Sequence, residues 1–305
     1  MAVSSQAPAI SRPGDPLSSA PLFIDEHSSA AAAQASVVRS DPAASAILGR
    51  IASVPTGIWL GAWNQPATVA SIAATVLVRA QASGSLPLFV LYAFPYRGCG
   101  PGTAAATGTY ERWVSQVAAG IGTGRAAVVI EPDALAQDVT LSCLSAAERA
   151  ARVAMIRQAV DRLARLPHVT LYLDAGNSHW QPAPAMAALL TAAGVGEARG
   201  FALNVSNFYS TAAEEAYGDR IGALLHGAHY VIDTSRNGLA TANTWCNPPG
   251  QALGAVPTVN TGRTLADALL WIKPPGVSDG TCDGGPEAGV FWPPYALGLA
   301  ANAHW

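Results

Sequence analysis

Two hydrophobic rhythms divide this chain: short apolar runs rich in β-branched residues, and longer stretches with apolar positions every three or four residues. The short runs read as buried strands at Gly57–Leu60, Leu88–Tyr92, Ala126–Ile130, Val169–Asp174, Phe201–Val205, Tyr230–Asp233 and Leu269–Ile272. Between them the helical period covers Pro66–Ala82, Thr109–Ile121, Ser145–Leu166, Ala183–Ala193 and Thr211–Leu225, and Ser145–Leu166 carries many arginines on its wet face. Upstream, Ser28–Val54 is alanine-rich and helical in propensity, with a break at Asp41-Pro42. Residues 1–28, rich in Ser, Pro and Ala, read as an amino-terminal tether or wrapped arm outside the core, which leaves 29–305 as one catalytic-sized domain. Strand–helix alternation of this length predicts an α/β fold: a parallel sheet with helices outside, its seven or so strands fitting a TIM-like β/α barrel better than two small domains. A doubly wound open sheet is the alternative, but no glycine-rich phosphate loop follows the first strand.

Composition narrows the partners. Half of the residues are hydrophobic, 12% are charged and the net charge is −3, so there is no basic footprint for nucleic acid. No apolar run reaches membrane-spanning length, and no membrane partner is expected. The four cysteines, Cys99, Cys143, Cys246 and Cys282, form no CxxC or Cys/His cluster, so neither a metal nor another cofactor is expected. Four well-separated cysteines suggest two disulfides with three possible connectivities, the most local being Cys99–Cys143 and Cys246–Cys282. Disulfides imply an oxidising compartment and a secreted protein. The opening MAVSSQAPAI has no charged segment followed by an apolar one, and the cysteines favour a leader already removed over free thiols.

Candidate chemistry gathers at the strand ends. The run Ala126–Ile130 stops at Glu131-Pro132-Asp133, because proline cannot donate to a ladder and restrains the residue before it. Two carboxyls thus stand at the carboxyl end of a hydrophobic strand, where α/β sheets and barrels place active sites. Low-dielectric surroundings would raise such a pKa, as a proton donor needs; a plain helix cap at Asp133 is the bland alternative. Across all seven strands the ends read Trp59, Tyr92, Asp133, Asp174, Asn204, Asp233 and Lys273, the last being the chain's single lysine against sixteen arginines. Each alone could be a cap or turn residue. Eight tryptophans add to the pattern: Trp59, Trp63, Trp180, Trp245 and Trp292 fall in loops or at strand ends, suited to stacking on sugar rings, with one or two expected in the core.

These residues carry a resemblance. VVIEPDALAQ (Val128–Gln137), YLDAGNSHW (Tyr172–Trp180), NVSNFY (Asn204–Tyr209), DTSRNG (Asp233–Gly238), TWCNPPGQALG (Thr244–Gly254) and LLWIKPPGVSDG (Leu269–Gly280) resemble, in order, the motifs of glycoside hydrolase family 6, the inverting cellobiohydrolases and endoglucanases. The likeness runs from about Pro21 to Ala300 and implies a distorted seven-stranded β/α barrel with disulfides Cys99–Cys143 and Cys246–Cys282. It implies Asp133 as general acid and Asp279 as base, in an inverting mechanism whose two carboxyls stand about 6.5–9.5 Å apart. Tyr92 would lie under the sugar at the cleavage site, Arg97 would join the catalytic set, and Asp174 would support substrate or the acid's hydrogen bonds. Trp59, Trp180 and Trp245 would be sugar platforms, while Asn204 and Lys273 would bind hydroxyls.

Three departures stand out. The family's usual Asp after the second strand is replaced in Tyr96-Arg97-Gly98-Cys99 by Gly98, and the following Gly100–Thr107 loop is short and lacks the water-positioning serine. The Glu of the family's KPPGE loop is Val277, and a common His after Asp-Ala-Gly is Asn177. Losing a like charge near the acid removes one cause of a raised pKa, which predicts a slower enzyme or a shifted substrate preference. Short flanks, Gly98–Thr109 and Asp279–Phe291, predict an open groove, hence a monomeric endoglucanase acting on internal bonds of cellulose or soluble β-glucan. The rivals are a cellobiohydrolase, a hydrolase of another β-1,4-glycan, or a weakened barrel that binds β-glucan without cleaving it.

Overall fold

The computed structural model describes residues 14–95, 97–99, 104–242 and 244–304. Seven strands, β1 (Ile58–Gly61), β2 (Leu88–Tyr92), β3 (Ala126–Ile130), β4 (Val169–Asp174), β5 (Gly200–Leu203), β6 (His229–Asp233) and β7 (Ala266–Leu270), run parallel in one sheet in chain order. Helices α1 (Ser29–Val37) and α2 (Pro42–Ala52) precede β1, separated by the break expected at Asp41-Pro42. Then α3 (Pro66–Ala82), α4 (Ala104–Ile121), α5 (Ala134–Thr140) with α6 (Ala146–Leu163), α7 (Ala183–Ala192) and α8 (Thr211–Leu224) carry the chain between successive strands. Helix α9 (Pro293–Ala301) follows β7. The expected barrel is therefore present as a curled half-barrel with helices outside.

Alternation along each strand feeds two apolar layers. Leu88, Val90, Ala127, Val129, Tyr172, Ala202, Val231, Ala268 and Leu270 pack together inside the curl. Their neighbours Phe89, Leu91, Val128, Ile130, Leu171, Leu173, Phe201, Leu203 and Ile232 pack with the helices outside. Burial on both faces is why these strands read as continuous apolar runs rather than alternating ones. One arginine expected on the wet face of α6 departs from the pattern: Arg152 is buried, with its Nε 2.9 Å from Asp138 Oδ1.

The curl is not laced shut. Between β1 and the end of β7, the described residues offer two hydrogen bonds, from Gly57 N to the Trp271 carbonyl and from Trp59 Nε1 to the Ile272 carbonyl, each 2.9 Å. Gly57 is needed there, since a Cβ would sit 2.3 Å from the Ile272 oxygen. With those carbonyls turned to the seam, the β7 ladder ends at Leu270 rather than at Ile272 as expected.

The amino-terminal arm needs a correction. Residues 14–28 are not outside the core: Asp15 caps a short 3-10 turn, Pro16–Ser19, whose Leu17 is buried within the inner apolar layer. Leu22 bridges to Leu86 beside β2, and Phe23 is buried against the outer layer. The turn closes the amino end of the curl. Leu17→Ala should therefore cost about 2–4 kcal/mol, seen as a lower urea midpoint with unchanged activity in the folded fraction.

Candidate active site

The carboxyl ends of the strands open into a groove of about 990 Å3. Trp59, Trp63, Tyr92, Asp133, Asn177, His179, Trp180, Tyr209, Trp245, Lys273, Val277 and Asp279 all line it. Both disulfides expected from the resemblance are formed, with Cα separations of 5.8 Å for Cys99–Cys143 and 6.1 Å for Cys246–Cys282. The first ties the loop after β2 to the turn between α5 and α6. The second ties the long β6–β7 connection to the segment after β7, so each braces one flank of the groove.

The two carboxyls after β3 part company. Glu131 is 1% exposed and turned into the protein, where it accepts from Ala93 N (2.9 Å) and Phe94 N (3.0 Å) and pairs with Arg97 at 2.7 Å. Asp133, with φ +73°, has a left-handed backbone and makes no side-chain cap to α5, so the helix-cap reading fails. A quarter of its side chain remains exposed, in the groove. Its Oδ2 lies 3.5 Å from Tyr92 Oη and 3.8 Å from Arg97 Nη1. Burial, only partly offset by Arg97 and Lys273, raises its pKa. Holding a non-glycine residue in that backbone region costs on the order of 1 kcal/mol, a strain that recurs at functional sites.

Asp279 is built for the opposite state. Only 4% of its side chain is exposed, with Oδ1 3.0 Å from Lys273 Nζ and Oδ2 2.7 Å from Arg236 Nη1. Asn247 N donates to Oδ2 at 3.1 Å, and Asn247 Oδ1 accepts from Asp279 N at 2.8 Å. Burial alone would raise its pKa, but Arg236 and then Lys273 hold it below the usual carboxylate value. One carboxyl raised in pKa and one lowered thus line a single groove.

Three of the seven strand-end residues lie beneath this site rather than in it. Asp174, 2% exposed, accepts from Asp133 N (2.9 Å) and Gly176 N (3.0 Å), and burial followed by the Asp133 charge pushes it up to about 8. Asp233 gathers Ser206 N, Ser235 N, Ile272 N and Lys273 N at 2.9–3.3 Å, a clamp that fixes the groove floor. Asn204 corrects an expectation: it is fully buried, donates to the Tyr209 and Asp233 carbonyls and accepts from Tyr209 N, so its amide is not free to bind hydroxyls.

Aromatic surface sorts as expected in part. Trp59 and Trp180 are half-buried on the groove wall; Trp63 and Trp245 are 61% and 63% exposed. Trp292 instead stacks on Tyr295 at 5.4 Å in the cluster around α9, the packing role allowed for one or two of the five. Arg97 lies flat on Tyr92, its Cζ 3.5 Å from the ring centroid, and so joins the ring to both carboxyls after β3. Sequence reading missed Arg236, a wholly buried guanidinium 4.4 Å from the Phe208 ring centroid, and Asn247. A lone Arg in DTSRNG amid sixteen arginines gave no signal by residue type. Tyr96 and residues 100–103 of the loop expected to be short lie outside the described residues. No group of three His, Cys, Asp or Glu gathers as a metal site among the described residues, and no described helix is long and apolar enough to cross a membrane.

A curled parallel β/α barrel with an aromatic groove and two oppositely tuned carboxyls at its mouth defines the class. The chain belongs to glycosyl hydrolases family 6, whose model matches residues 17–303. An endoglucanase A of Cellulomonas fimi is 43% identical over 263 residues, 85% of this chain and 57% of that protein. An endoglucanase A of Thermobispora bispora is 39% identical over 291 residues, 93% of this chain and 62% of its own length. The chain therefore spans about three-fifths of those two relatives. Among solved structures, endoglucanase Cel6 of Mycobacterium tuberculosis, in complex with a thio-linked methyl cellobiosyl-cellobioside, matches with TM-score 0.88 at 46% identity, over 95% of this chain and 99% of that one. The catalytic core of cellobiohydrolase Cel6A from Chaetomium thermophilum matches at 0.82 and 26%, over 96% and 99%.

Proposed function

We propose that this chain hydrolyses internal β-1,4 bonds of cellulose or soluble β-glucan with inversion at the anomeric carbon. The observation that carries the reading is the pairing of Asp133, raised in pKa, with the doubly ion-paired Asp279 in one tryptophan-walled groove. Asp133 gives its proton to the glycosidic oxygen as the bond to the anomeric carbon breaks. Water attacks that carbon from the opposite face, and its proton passes to Asp279 directly or through water. Tyr92, backed by Arg97, sits beneath the reacting sugar, while Trp59, Trp180 and Trp245 carry neighbouring rings and Lys273 meets their hydroxyls. Asp174 acts on the backbone of the acid rather than on substrate.

Endo action is supported by the strongly exposed Trp63 and Trp245 and by the endoglucanases among the relatives. On carboxymethylcellulose, viscosity should fall well before reducing ends accumulate; parallel loss would instead support the cellobiohydrolase reading. A working β-glucanase of this lineage would act outside the cell, where the two disulfides form, and as a monomer.

Gly98 bears on rate. Its φ is +85° and a Cβ there would meet none of the described residues within 4 Å, so among them aspartate fits at a backbone cost of about 1–2 kcal/mol. The added carboxylate would stand next to Arg97, the group that lowers the Asp133 pKa. Gly98→Asp is therefore expected to raise kcat on soluble β-glucan several-fold. An unchanged or lower rate would count against the view that this glycine weakens the acid.

A further inference from the structure

His179 and Tyr209 meet in the groove as a stacked pair, ring centroids 4.1 Å apart and planes 9° from parallel. They come from the segments after β4 and β5, so in strand order they follow Asp133 and stand apart from the Trp59–Tyr92 wall after β1 and β2. We infer that this pair is a sugar-binding ledge that holds a ring of the glucan chain beyond the cleavage centre and sets how tightly longer chains are gripped. The inference rests on the β-glucanase reading above.

The backbone that carries both rings is fixed from below by buried polar groups, and that is the argument for a built site rather than a chance surface contact. On one side, Asn177 Oδ1 accepts from His179 N at 3.1 Å, and Ser178 Oγ lies 2.9 Å from His179 Nδ1. Ser178 N in turn donates at 3.0 Å to Glu214 Oε1, a carboxyl with no solvent exposure in the first turn of α8. Burial pushes Glu214 up to about 7, against the opposing pull of Ser178. On the other side, Asn204 holds Tyr209 through both backbone groups, and Asn237 Nδ2 donates to the same carbonyl at 2.9 Å. Four buried polar side chains (Asn177, Asn204, Glu214 and Asn237) thus fix the two backbone segments whose rings reach the groove.

The chemistry suits a pyranose. An aromatic face takes the apolar C–H side of a sugar ring, while polar ring edges meet its equatorial hydroxyls. His179 is exposed, and with Nδ1 engaged by Ser178 its remaining polar atom is Nε2; Tyr209 adds its hydroxyl. Because both rings are held before substrate arrives, little ordering entropy opposes binding. This also gives Asn177 a use: it shapes the turn that presents His179 two residues further along the same segment.

The test is steady-state kinetics on cellohexaose with wild type, His179→Ala and His179→Phe, beside thermal melts of all three. Since His179 is exposed, the melts should coincide. His179→Ala should raise KM about 5-fold or more with kcat within 2-fold, the pattern for binding lost equally from ground and transition states. His179→Phe, which restores a flat face, should recover most of that loss. If wild type is active and His179→Ala has an unchanged KM, the ledge is overturned while the β-glucanase reading stands. If KM rises equally in both variants, stacking is overturned and a hydrogen bond from the imidazole takes its place. If wild type neither cleaves nor binds cellohexaose, both readings fall.

Discussion

Asp133→Ala is expected to lower kcat on cellohexaose by about 10^3-fold, within the 10^2–10^4 contributed by a general acid, while binding of the oligosaccharide survives. The reason is the leaving group: an unactivated sugar alkoxide cannot depart without a proton, and Asp133 is the groove carboxyl placed to keep one. The loss should be far smaller on an aryl cellobioside whose leaving group needs no proton. Anomeric NMR on the wild-type reaction should show the α-anomer first. Equal losses on both substrates would remove Asp133 from the role of acid. The pH profile should be bell-shaped. Activity falls as pH rises through the raised pKa of Asp133, which must be protonated, and as pH falls through the lowered pKa of Asp279, which must be charged.

Arg236→Met should be the most damaging change outside the acid itself. It leaves Asp279, with 4% of its side chain exposed, with Lys273 as its remaining ion pair, and losing a hydrogen bond to a buried charge costs about 1.5–3 kcal/mol. Two readouts follow. The urea midpoint should drop, and the acid limb of the activity profile should move to higher pH, because Asp279 loses its strongest opposing charge. Adding Asp279→Asn to Arg236→Met should lower stability further, because the buried Lys273 ammonium then loses its carboxylate, but by less than the two single losses summed. Additive losses in that double variant would show that the two residues do not act as a unit.

Much of this fold is legible in the sequence because parallel strands buried on both faces are short apolar runs, and few other segments look like that. Leu88–Tyr92, Ala126–Ile130 and Val169–Asp174 match the observed strands end to end. Reading was poorer where a charge had a tertiary reason to be buried. Asp267 in β7 is paired with Arg199 and Tyr172, and it hid the first half of that strand. Helix α9 follows a tryptophan and opens with two prolines, and helix α5 is only seven residues long, so neither offered enough period to be seen. In the site, residues that reach the groove directly were legible as aromatics and acids at strand ends. Those that act from underneath were not: Asn204 reads as a ligand and is a brace, while Arg236 gives no signal by residue type and is wholly buried. Local sequence carries residue type and periodicity, and neither says which way a polar side chain will turn.

The unlaced seam between β1 and β7 has a mechanical consequence. In a fully hydrogen-bonded ring, the width of the mouth is fixed by strand number and stagger. Here Trp59 stands on one lip and Lys273 on the other, the described residues joining them by two hydrogen bonds, a glycine contact and the Lys273 ammonium 5.6 Å from the Trp59 ring centroid. Any change of width at the seam therefore falls first on the lip that carries Lys273 and Asp279, whereas Asp133 follows β3, which is laddered to a neighbour on both sides.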